Sequence, residues 1–393
     1  MSSTPKWLTT FTVQGITHAQ KQIYPEDQSA LEFFASGPGK SIHTFLYFLG
    51  CPVMQLLGIS TNLINVTVFL RAGLSDGMAV TFLGLAVSDL LYNVFYFMGR
   101  LLNAVQRIFQ EKPYINTLHL SYVLAKHGRM WFNVSILLTV FAAVQKCACI
   151  AIPFTFRHFF TRRKSAITIV SVYVTVITYF LPYLSLDRFL PYTERRTNRT
   201  RLGYSLRDRK LAERIDDFVT LANRVVLPYV SQVLLIICVL IMTLKLRSAA
   251  EARRKMTSVN SGSDAGLSGV TSGPPSDQRA RMNPDSDKTT NDSKNILNPK
   301  ELRVVRSVNI LCGVFIAGTT PQTVIEALAL AFGDFGDFGR YSSLYYFTQG
   351  VQQFIEITGT AVNILVYFHF NSKYRRTFLT LFRCNIDASN DKK

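Results

Sequence analysis

Long apolar segments alternate with polar ones along most of the chain. At about 1.5 Å per residue, each apolar segment is long enough to cross a hydrocarbon core about 30 Å thick as a tilted helix. We expect seven such helices, at residues 44–70, 78–105, 118–149, 166–186, 218–246, 304–332 and 344–370. The pattern therefore predicts an all-α membrane protein, a seven-transmembrane helix bundle.

A short amphipathic helix is expected after the seventh span. Beyond residue 370, basic residues alternate with Tyr374, Phe378, Leu381 and Phe382 at helical spacing. Such a helix lies on a membrane surface with its apolar face in the lipid.

The polar segments between the spans set the predicted organisation. The loop at 248–300 is rich in Ser, Gly, Asp and Pro, so we expect it to be disordered. The predicted regions are an extracellular amino-terminal tail (1–43), spans one to five with their loops (44–247), this third cytoplasmic loop (248–300), spans six and seven (301–370), and the amphipathic helix with a cytoplasmic tail (371–393).

Composition supports a membrane protein and gives its orientation. Hydrophobic residues make up 48% of the chain and charged residues only 17%, against about 25% in globular proteins. The net charge of +18 lies between apolar runs, so membrane orientation and anionic lipid explain it better than nucleic acid. Because basic clusters near span ends favour the cytosol, the clusters at 162–164, 253–255 and 375–376 predict that the amino terminus of this multi-pass membrane protein is extracellular.

One acidic residue, Asp89, lies deep in the second span. Charge within a span is costly and marks function by default. The nearest suitable partners are Asn62 and Asn65 on the first span, Ser135 on the third and Asn363 on the seventh. Two interpretations stay open: a structural cluster of hydrogen-bonded polar groups, or a site for a sodium-like cation.

The seventh span carries a polar face. Gln349, Gln352, Gln353 and Glu356 recur at spacings of three and four, so this face should line a wet cavity rather than lipid. The outer halves of other spans add Arg100, Arg129, Arg224 and Glu326 as candidate ligand-binding residues. Together they suit a ligand with a carboxylate, or a zwitterion, although internal salt bridges are the competing interpretation. Lys126 is close enough to its helix end to extend to the headgroups.

These features together resemble a rhodopsin-like G-protein-coupled receptor. Residues 85–90 (LAVSDL) resemble the second-helix motif of that family, and residues 363–367 (NILVY) resemble its seventh-helix motif with Ile364 in place of proline. Asn62, Pro228 and Pro321 match its helix markers. Residues 146–149 and 371–376 are similar to those of chemosensory-type and orphan receptors of gastropod molluscs.

The resemblance implies specific roles and partners. Asp89, Ser135 and Asn363 would hold a sodium ion, the only cofactor expected. The implied activation residues are Ile136, Pro228, Phe315, Asn363, Tyr367 and the cytosolic switch Lys146 with Glu301. The implied partners are an extracellular small molecule or neuropeptide, a heterotrimeric G protein, arrestin and membrane lipid.

The chain also departs from the family pattern. Ser121 replaces the cysteine that normally bridges to the second outer loop, and that loop holds no cysteine, so we expect a mobile loop without a disulfide. Thr319 replaces a usual tryptophan, and Gly359 removes one polar contributor to the sodium site. Lys146 replaces an arginine and cannot make its planar two-pronged contact.

Two modification sites depend on this orientation. Asn198 begins the sequence Asn-Arg-Thr, a glycosylation site if its loop is extracellular. Cys384 follows the amphipathic helix and is a candidate for palmitoylation. A chance sequence match and an unmodified thiol are the alternatives.

Enzymatic function is not expected, because the sequence shows no nucleophile and base pair, no metal-ligand spacing and no phosphate loop. Two alternatives to a signalling receptor remain. One is a transporter or channel, although inverted repeats and helices broken at the midplane are not evident. The other is a receptor-like protein that does not signal, suggested by Gln145 and Lys146.

Overall fold

A computed structural model describes residues 36–109, 114–152, 156, 158–194, 199–264, 299–336 and 339–390. Within these ranges the protein is mainly helical. Helix α5 has three parts, the middle one a π-helical segment. The helices are α1 (Pro38–Ala72), α2 (Gly77–Phe109), α3 (Thr117–Ala151), α4 (Arg162–Ser185), α5 (Arg209–Thr220, Leu221–Val226 and Leu227–Asp264), α6 (Pro299–Ala331), α7 (Ser342–Phe370) and α8 (Ser372–Asn390).

Six helices in the described part of the chain, α1 to α6, are long and apolar enough to cross a membrane. This indicates a multi-pass membrane protein. Helix α7 has 29 residues but is not among the six, because its glutamines, Glu356 and Asn363 lower its hydropathy. The sequence expectation of seven spans is therefore met for six, and α7 has the length of a span with a more polar composition.

Helix ends are fixed by local side chains. The Asn116 side chain accepts hydrogen bonds from Leu118 N and His119 N at the start of α3, and Thr161 Oγ1 accepts one from Lys164 N at the start of α4. These contacts satisfy amide groups that have no partner within the helix. Gly73 ends α1 with φ 78°, a conformation that glycine adopts without steric cost.

Helix α3 lies at the centre of the bundle and packs against α2, α4, α5 and α6. Val134, Leu138 and Ala142 are fully buried along it. By contrast, large apolar side chains such as Val170 on α4 and Leu240 on α5 are exposed. An apolar outer surface suits lipid, which solvates such side chains.

The connection between α4 and α5 forms a β-hairpin. Strand β1 (Asp187–Glu194) pairs with β2 (Arg199–Leu206) in antiparallel register, with Asp187 opposite Leu206. Leu202 also makes a parallel bridge to Ile115, and its N donates to Tyr114 O at 2.7 Å. The loop expected to be mobile is thus a paired hairpin held to the start of α3. Below, the hairpin end and the α8 end denote the two ends of the bundle.

Helices extend beyond the predicted limits of two regions. The expected disordered loop at 248–300 is helical up to Asp264, where α5 ends, and again from Pro299, where α6 begins. The segment before residue 264 includes Ala, Glu, Arg, Lys and Met, which are strong helix formers. Residues 265–298 lie outside the described ranges. Helix α1 also begins at Pro38, before the predicted boundary at 43.

Candidate functional site

Asp89 lies in the interior of the bundle and joins three helices. Its Oδ1 accepts a hydrogen bond from Ser135 Oγ of α3 at 2.6 Å, and its Oδ2 accepts one from Asn363 Nδ2 of α7 at 2.8 Å. Asp89 is 1% exposed. Two of the four expected partners, Ser135 and Asn363, therefore contact it, at the short distances typical of hydrogen bonds to a carboxylate.

Asn62 and Asn65 were expected at Asp89, but the structure gives them other hydrogen-bond partners. Asn62 Nδ2 donates to Thr360 O at 3.2 Å, and Asn65 Nδ2 donates to Asn62 Oδ1 at 3.2 Å. Asn65 Oδ1 accepts from Tyr374 of α8 at 2.6 Å. The sequence shows that both are polar within a span, but it does not show which helix faces them.

Asn93 is a member of this network that the sequence analysis missed. Its Nδ2 donates to Thr360 Oγ1 at 3.0 Å and to Asp89 O at 2.7 Å. It lies one helical turn after Asp89 and is fully buried. Its spacing from Asp89 is the signal that could have identified it.

A cavity of about 30 Å³ opens beside Asp89, enough for about one or two water-sized species. Asp89 and Glu356 both line it, so it joins the polar centre of the bundle to the polar face of α7. The other lining residues are Phe132, Ser135, Thr139, Val314, Phe315, Gly318, Thr319, Gly359, Thr360 and Asn363.

The residues near Asp89 fit an oxygen-binding cation. The Asp89 carboxylate and the Ser135 hydroxyl are oxygen donors of the kind that hard cations prefer, and both line the cavity. Asn363 can add its amide oxygen after a side-chain flip. No cluster of three or more His, Cys, Asp or Glu side chains suited to a metal occurs among the described residues.

Glu356, on the polar face of α7, forms the first of two ion pairs. Its Oε1 lies 3.5 Å from Arg129 Nη1 of α3, and its Oε2 accepts a hydrogen bond from Tyr92 at 3.3 Å. The Glu356 side chain is 1% exposed and that of Arg129 is 20% exposed. The sequence analysis did not single out Tyr92.

Glu326 of α6 forms the second ion pair. Its Oε1 lies 3.3 Å from Arg224 Nη1 and accepts a hydrogen bond from Gln349 Nε2 at 2.9 Å. Arg224 also lies 3.4 Å from the Tyr345 hydroxyl. The α7 glutamine therefore bridges to α5 through Glu326.

Arg100 and Gln353 form a third contact nearer to α1. Arg100 Nη2 donates to Gln353 Oε1 at 2.7 Å, and the guanidinium lies 5.1 Å from the Tyr47 ring centre. Arg100 is 6% exposed. Gln352, expected on the same face, lies instead 3.4 Å from Gln322 Oε1. The seven predicted ligand-binding residues thus form three side-chain groups within the bundle.

Lys126 does not extend to the headgroups as expected. Its Nζ lies 2.7 Å from Asp187 Oδ1 at the start of β1, and both side chains are 6% exposed. Asp187 Oδ1 also accepts a hydrogen bond from the Tyr204 hydroxyl at 2.5 Å. Burial and the bond to Asp187 raise the pKa of Tyr204 above its usual range. The nearby carboxylate attracts the ammonium more strongly than distant headgroups do.

The predicted activation residues lie on the α8 side of these ion pairs. Ile136 and Phe315 belong to one packed cluster, and Pro228 is buried directly after the π-helical turn of α5. Proline lacks an amide hydrogen, so the helix there loses one backbone bond. Tyr367 is buried with its ring 5.0 Å from that of Phe82.

The cytosolic switch is described only in part. Lys146 is half-buried on α3, but the Glu301 side chain lies outside the described side chains, so the expected pair is untested. Next to Lys146, the buried Gln145 lies 3.0 Å from Thr81 Oγ1 and donates to Ser165 Oγ at 2.9 Å. This contact joins α2, α3 and α4, and the sequence analysis missed it.

The two predicted modification sites cannot be placed. Asn198 lies outside the described residues, and the Cys384 side chain lies outside the described side chains. Cys51, Cys147, Cys149, Cys238 and Cys312 are free thiols in the described part of the chain. No protein-family model and no curated protein matches the chain significantly.

Proposed function

We propose that the protein is a rhodopsin-like G-protein-coupled receptor of the plasma membrane. The observation that carries this proposal is the cavity shared by Asp89 and Glu356. It connects Glu356, a member of one ion pair, with Phe315, which packs against the cluster that contains Ile136. A receptor needs such a connection, because ligand binding at one end has to change the helix arrangement at the other.

The hairpin end is the proposed extracellular end, where a small molecule or a neuropeptide binds. The ion pairs Arg129–Glu356 and Arg224–Glu326 hold α3 to α7 and α5 to α6. A charged ligand that takes the place of one residue in either ion pair would change how stable one arrangement of these helices is relative to another. The ligand can shift the populations of the two arrangements only to the extent that it binds one of them more tightly than the other.

A sodium ion is the proposed regulator at Asp89. It would bind among Asp89, Ser135 and Asn363 and favour the arrangement in which α2, α3 and α7 converge. Activation then requires the ion to leave and α6 to move at the α8 end. The residues that would rearrange are Ile136, Pro228, Phe315 and Tyr367.

The α8 end is the proposed cytosolic end. Lys146 and Glu301 would hold α3 and α6 together there until a heterotrimeric G protein or arrestin binds. In this orientation Asn198 is available for glycosylation outside, and Cys384 for palmitoylation inside. Helix α8 would then lie on the inner membrane surface.

The test is nucleotide exchange on G proteins by cell membranes that contain the protein. We expect Glu301→Ala to raise basal exchange on at least one G-protein family by about threefold, because the proposed pair with Lys146 is removed. The matched control is Glu251→Ala, which removes a different acidic side chain near the α8 end and should leave exchange unchanged.

The rival functions give different results. Ligand-dependent uptake or current in cells lacking G proteins would identify a transporter or channel. If properly expressed wild-type protein and Glu301→Ala both fail to accelerate exchange on every G-protein family, the chain is a receptor-like protein that does not signal.

A further inference from the structure

Three arginines on the described helices near the hairpin end, Arg100 of α2, Arg129 of α3 and Arg224 of α5, are buried or half-buried, and they differ in how their charge is balanced. Arg129 pairs with Glu356 at 3.5 Å, and Arg224 pairs with Glu326 at 3.3 Å. Arg100 pairs with no carboxylate in the part of the chain that the structure describes. It is also the most buried of the three, at 6% exposed.

The surroundings of Arg100 are neutral or aromatic. Its Nη2 donates to the neutral Gln353 Oε1 at 2.7 Å, and its Nη1 is buried without an acceptor among the described groups. The ring of Tyr47 lies beneath the guanidinium at 5.1 Å. The Tyr47 hydroxyl accepts a hydrogen bond from Asn103 Nδ2 at 3.2 Å, which helps to fix that ring.

An arginine side chain remains charged in this setting, since a guanidinium does not lose its proton in proteins. A buried charge without a counter-charge is costly. A carboxylate removes this cost, because its two oxygens match the planar fork of the guanidinium. The Tyr47 ring covers one face of the guanidinium, and Gln353 binds Nη2. The edge that carries Nη1 is left for such a carboxylate.

We propose that Arg100 is the anchoring residue for a carboxylate group of the receptor's ligand, in a subsite between α1, α2 and α7. This rests on the proposed receptor function and specifies the ligand class. It also separates the three arginines: Arg129 and Arg224 are balanced within the protein, and Arg100 is balanced by the ligand. The aromatic ring of Tyr47 favours a carboxylate next to a flat, apolar group.

A carboxylate could come from a free ligand or from the chain itself. The amino-terminal segment contains Glu26, Asp27 and Glu32, which lie outside the described residues. Our proposal is the free ligand, and the experiment separates the two sources.

The experiment uses the full chain in lipid nanodiscs with benzoate as the probe and benzamide as its neutral isostere. Benzoate should raise the unfolding midpoint at constant ionic strength, because a ligand that binds only the folded protein stabilises it. Benzamide should not. In Arg100→Gln the benzoate concentration for half-maximal stabilisation should rise about tenfold or more.

Three further variants complete the design. Arg207→Gln removes an exposed arginine at the same end and should respond to benzoate as the wild type does. Arg100→Lys keeps the charge without the planar fork, so its response should be intermediate; this variant also serves if Arg100→Gln does not fold. Neutralising Glu26, Asp27 and Glu32 together should leave the benzoate response unchanged.

Three outcomes would overturn the proposal. The first is an equal effect of benzoate and benzamide. The second is an equal benzoate response in the wild type and both Arg100 variants. The third is a benzoate response that appears only after Glu26, Asp27 and Glu32 are neutralised. The last would assign the carboxylate to the chain itself. Since no G protein is present, these results are independent of nucleotide exchange.

Discussion

At the residue scale, Asp89 and Glu356 find their polar partners on other helices rather than along their own. Asp89 receives its two hydrogen bonds from α3 and α7, and Glu356 meets Arg129 from α3. Each contact removes part of the cost of placing a charge in a low-dielectric interior. The helices are therefore held in one relative arrangement by a few polar groups.

The Arg129–Glu356 pair gives a direct test of this balance. We expect Arg129→Gln to lower the free energy of unfolding by about 3 kcal/mol, because it leaves the buried Glu356 carboxylate unpaired. Changing Glu356→Gln as well should restore stability to within about 1 kcal/mol of the wild type. The measurement is equilibrium unfolding in detergent. Additive losses in the double variant would show that the two side chains act independently.

The sequence identifies these charges but not all of their partners. Asp89 stands out because carboxylates are rare within spans, and the family resemblance gives Ser135 and Asn363. Lys126 was assigned to the headgroups because it lies near its helix end, whereas its partner Asp187 is 61 positions away along the chain. Contacts of this kind depend on how helices and loops meet, which local periodicity does not contain.

At the scale of elements, the buried Tyr374 attaches α8 to the bundle. Tyr374 is 1% exposed, donates to Asn65 Oδ1 at 2.6 Å and packs its ring 5.1 Å from that of Phe69. Lys373 adds a hydrogen bond from Nζ to Ser75 Oγ at 2.9 Å. The orientation of α8 against α1 therefore depends on both polar and aromatic contacts.

Removing the Tyr374 hydroxyl should loosen this attachment. We expect Tyr374→Phe to cost about 1 to 2 kcal/mol, since the amide oxygen of Asn65 stays buried without this donor. Hydrogen–deuterium exchange of α8 should become faster while exchange of α3 is unchanged. The matched control is Tyr229→Phe, an exposed tyrosine on α5. Equal α8 exchange in the two variants would contradict the proposed role of the hydroxyl.

Element positions follow well from hydrophobicity, and their irregular connections do not. The apolar runs predict α1 to α6 because a helix needs about 20 apolar residues to cross a bilayer. The β-hairpin was not predicted, since Asp187 to Leu206 is strongly charged and its strands are held largely by backbone hydrogen bonds and by the start of α3. The extension of α5 to Asp264 was missed because loop composition was given more weight than helix propensity.

At the scale of the whole molecule, the proposed receptor function requires seven membrane crossings. Helices α1 to α6 meet the criterion of length and hydropathy, whereas α7 combines the length of a span with a polar face that contacts α2, α3 and α6. Such a helix can cross a membrane only if its polar side is covered by protein.

The sidedness of the hairpin and α8 tests this requirement. We expect Arg207→Cys to react with a membrane-impermeant maleimide on intact cells, and Ser372→Cys to react only after permeabilisation, both with Cys384→Ser to remove the native thiol in the tail. Seven crossings place these positions on opposite sides, since three spans separate them. Labelling of both positions on intact cells would mean that α7 does not cross.

The proposed function gives Asp89 control over the signalling arrangement of the bundle. Its most direct test is basal nucleotide exchange on a heterotrimeric G protein by the purified protein in nanodiscs, measured in sodium and in N-methylglucamine. We predict exchange about threefold slower in sodium, because the ion stabilises the convergence of α2, α3 and α7, and no sodium effect in Asp89→Asn. Equal rates in the two media for the wild type, or the same sodium effect in Asp89→Asn, would contradict the proposed control of exchange by sodium at Asp89.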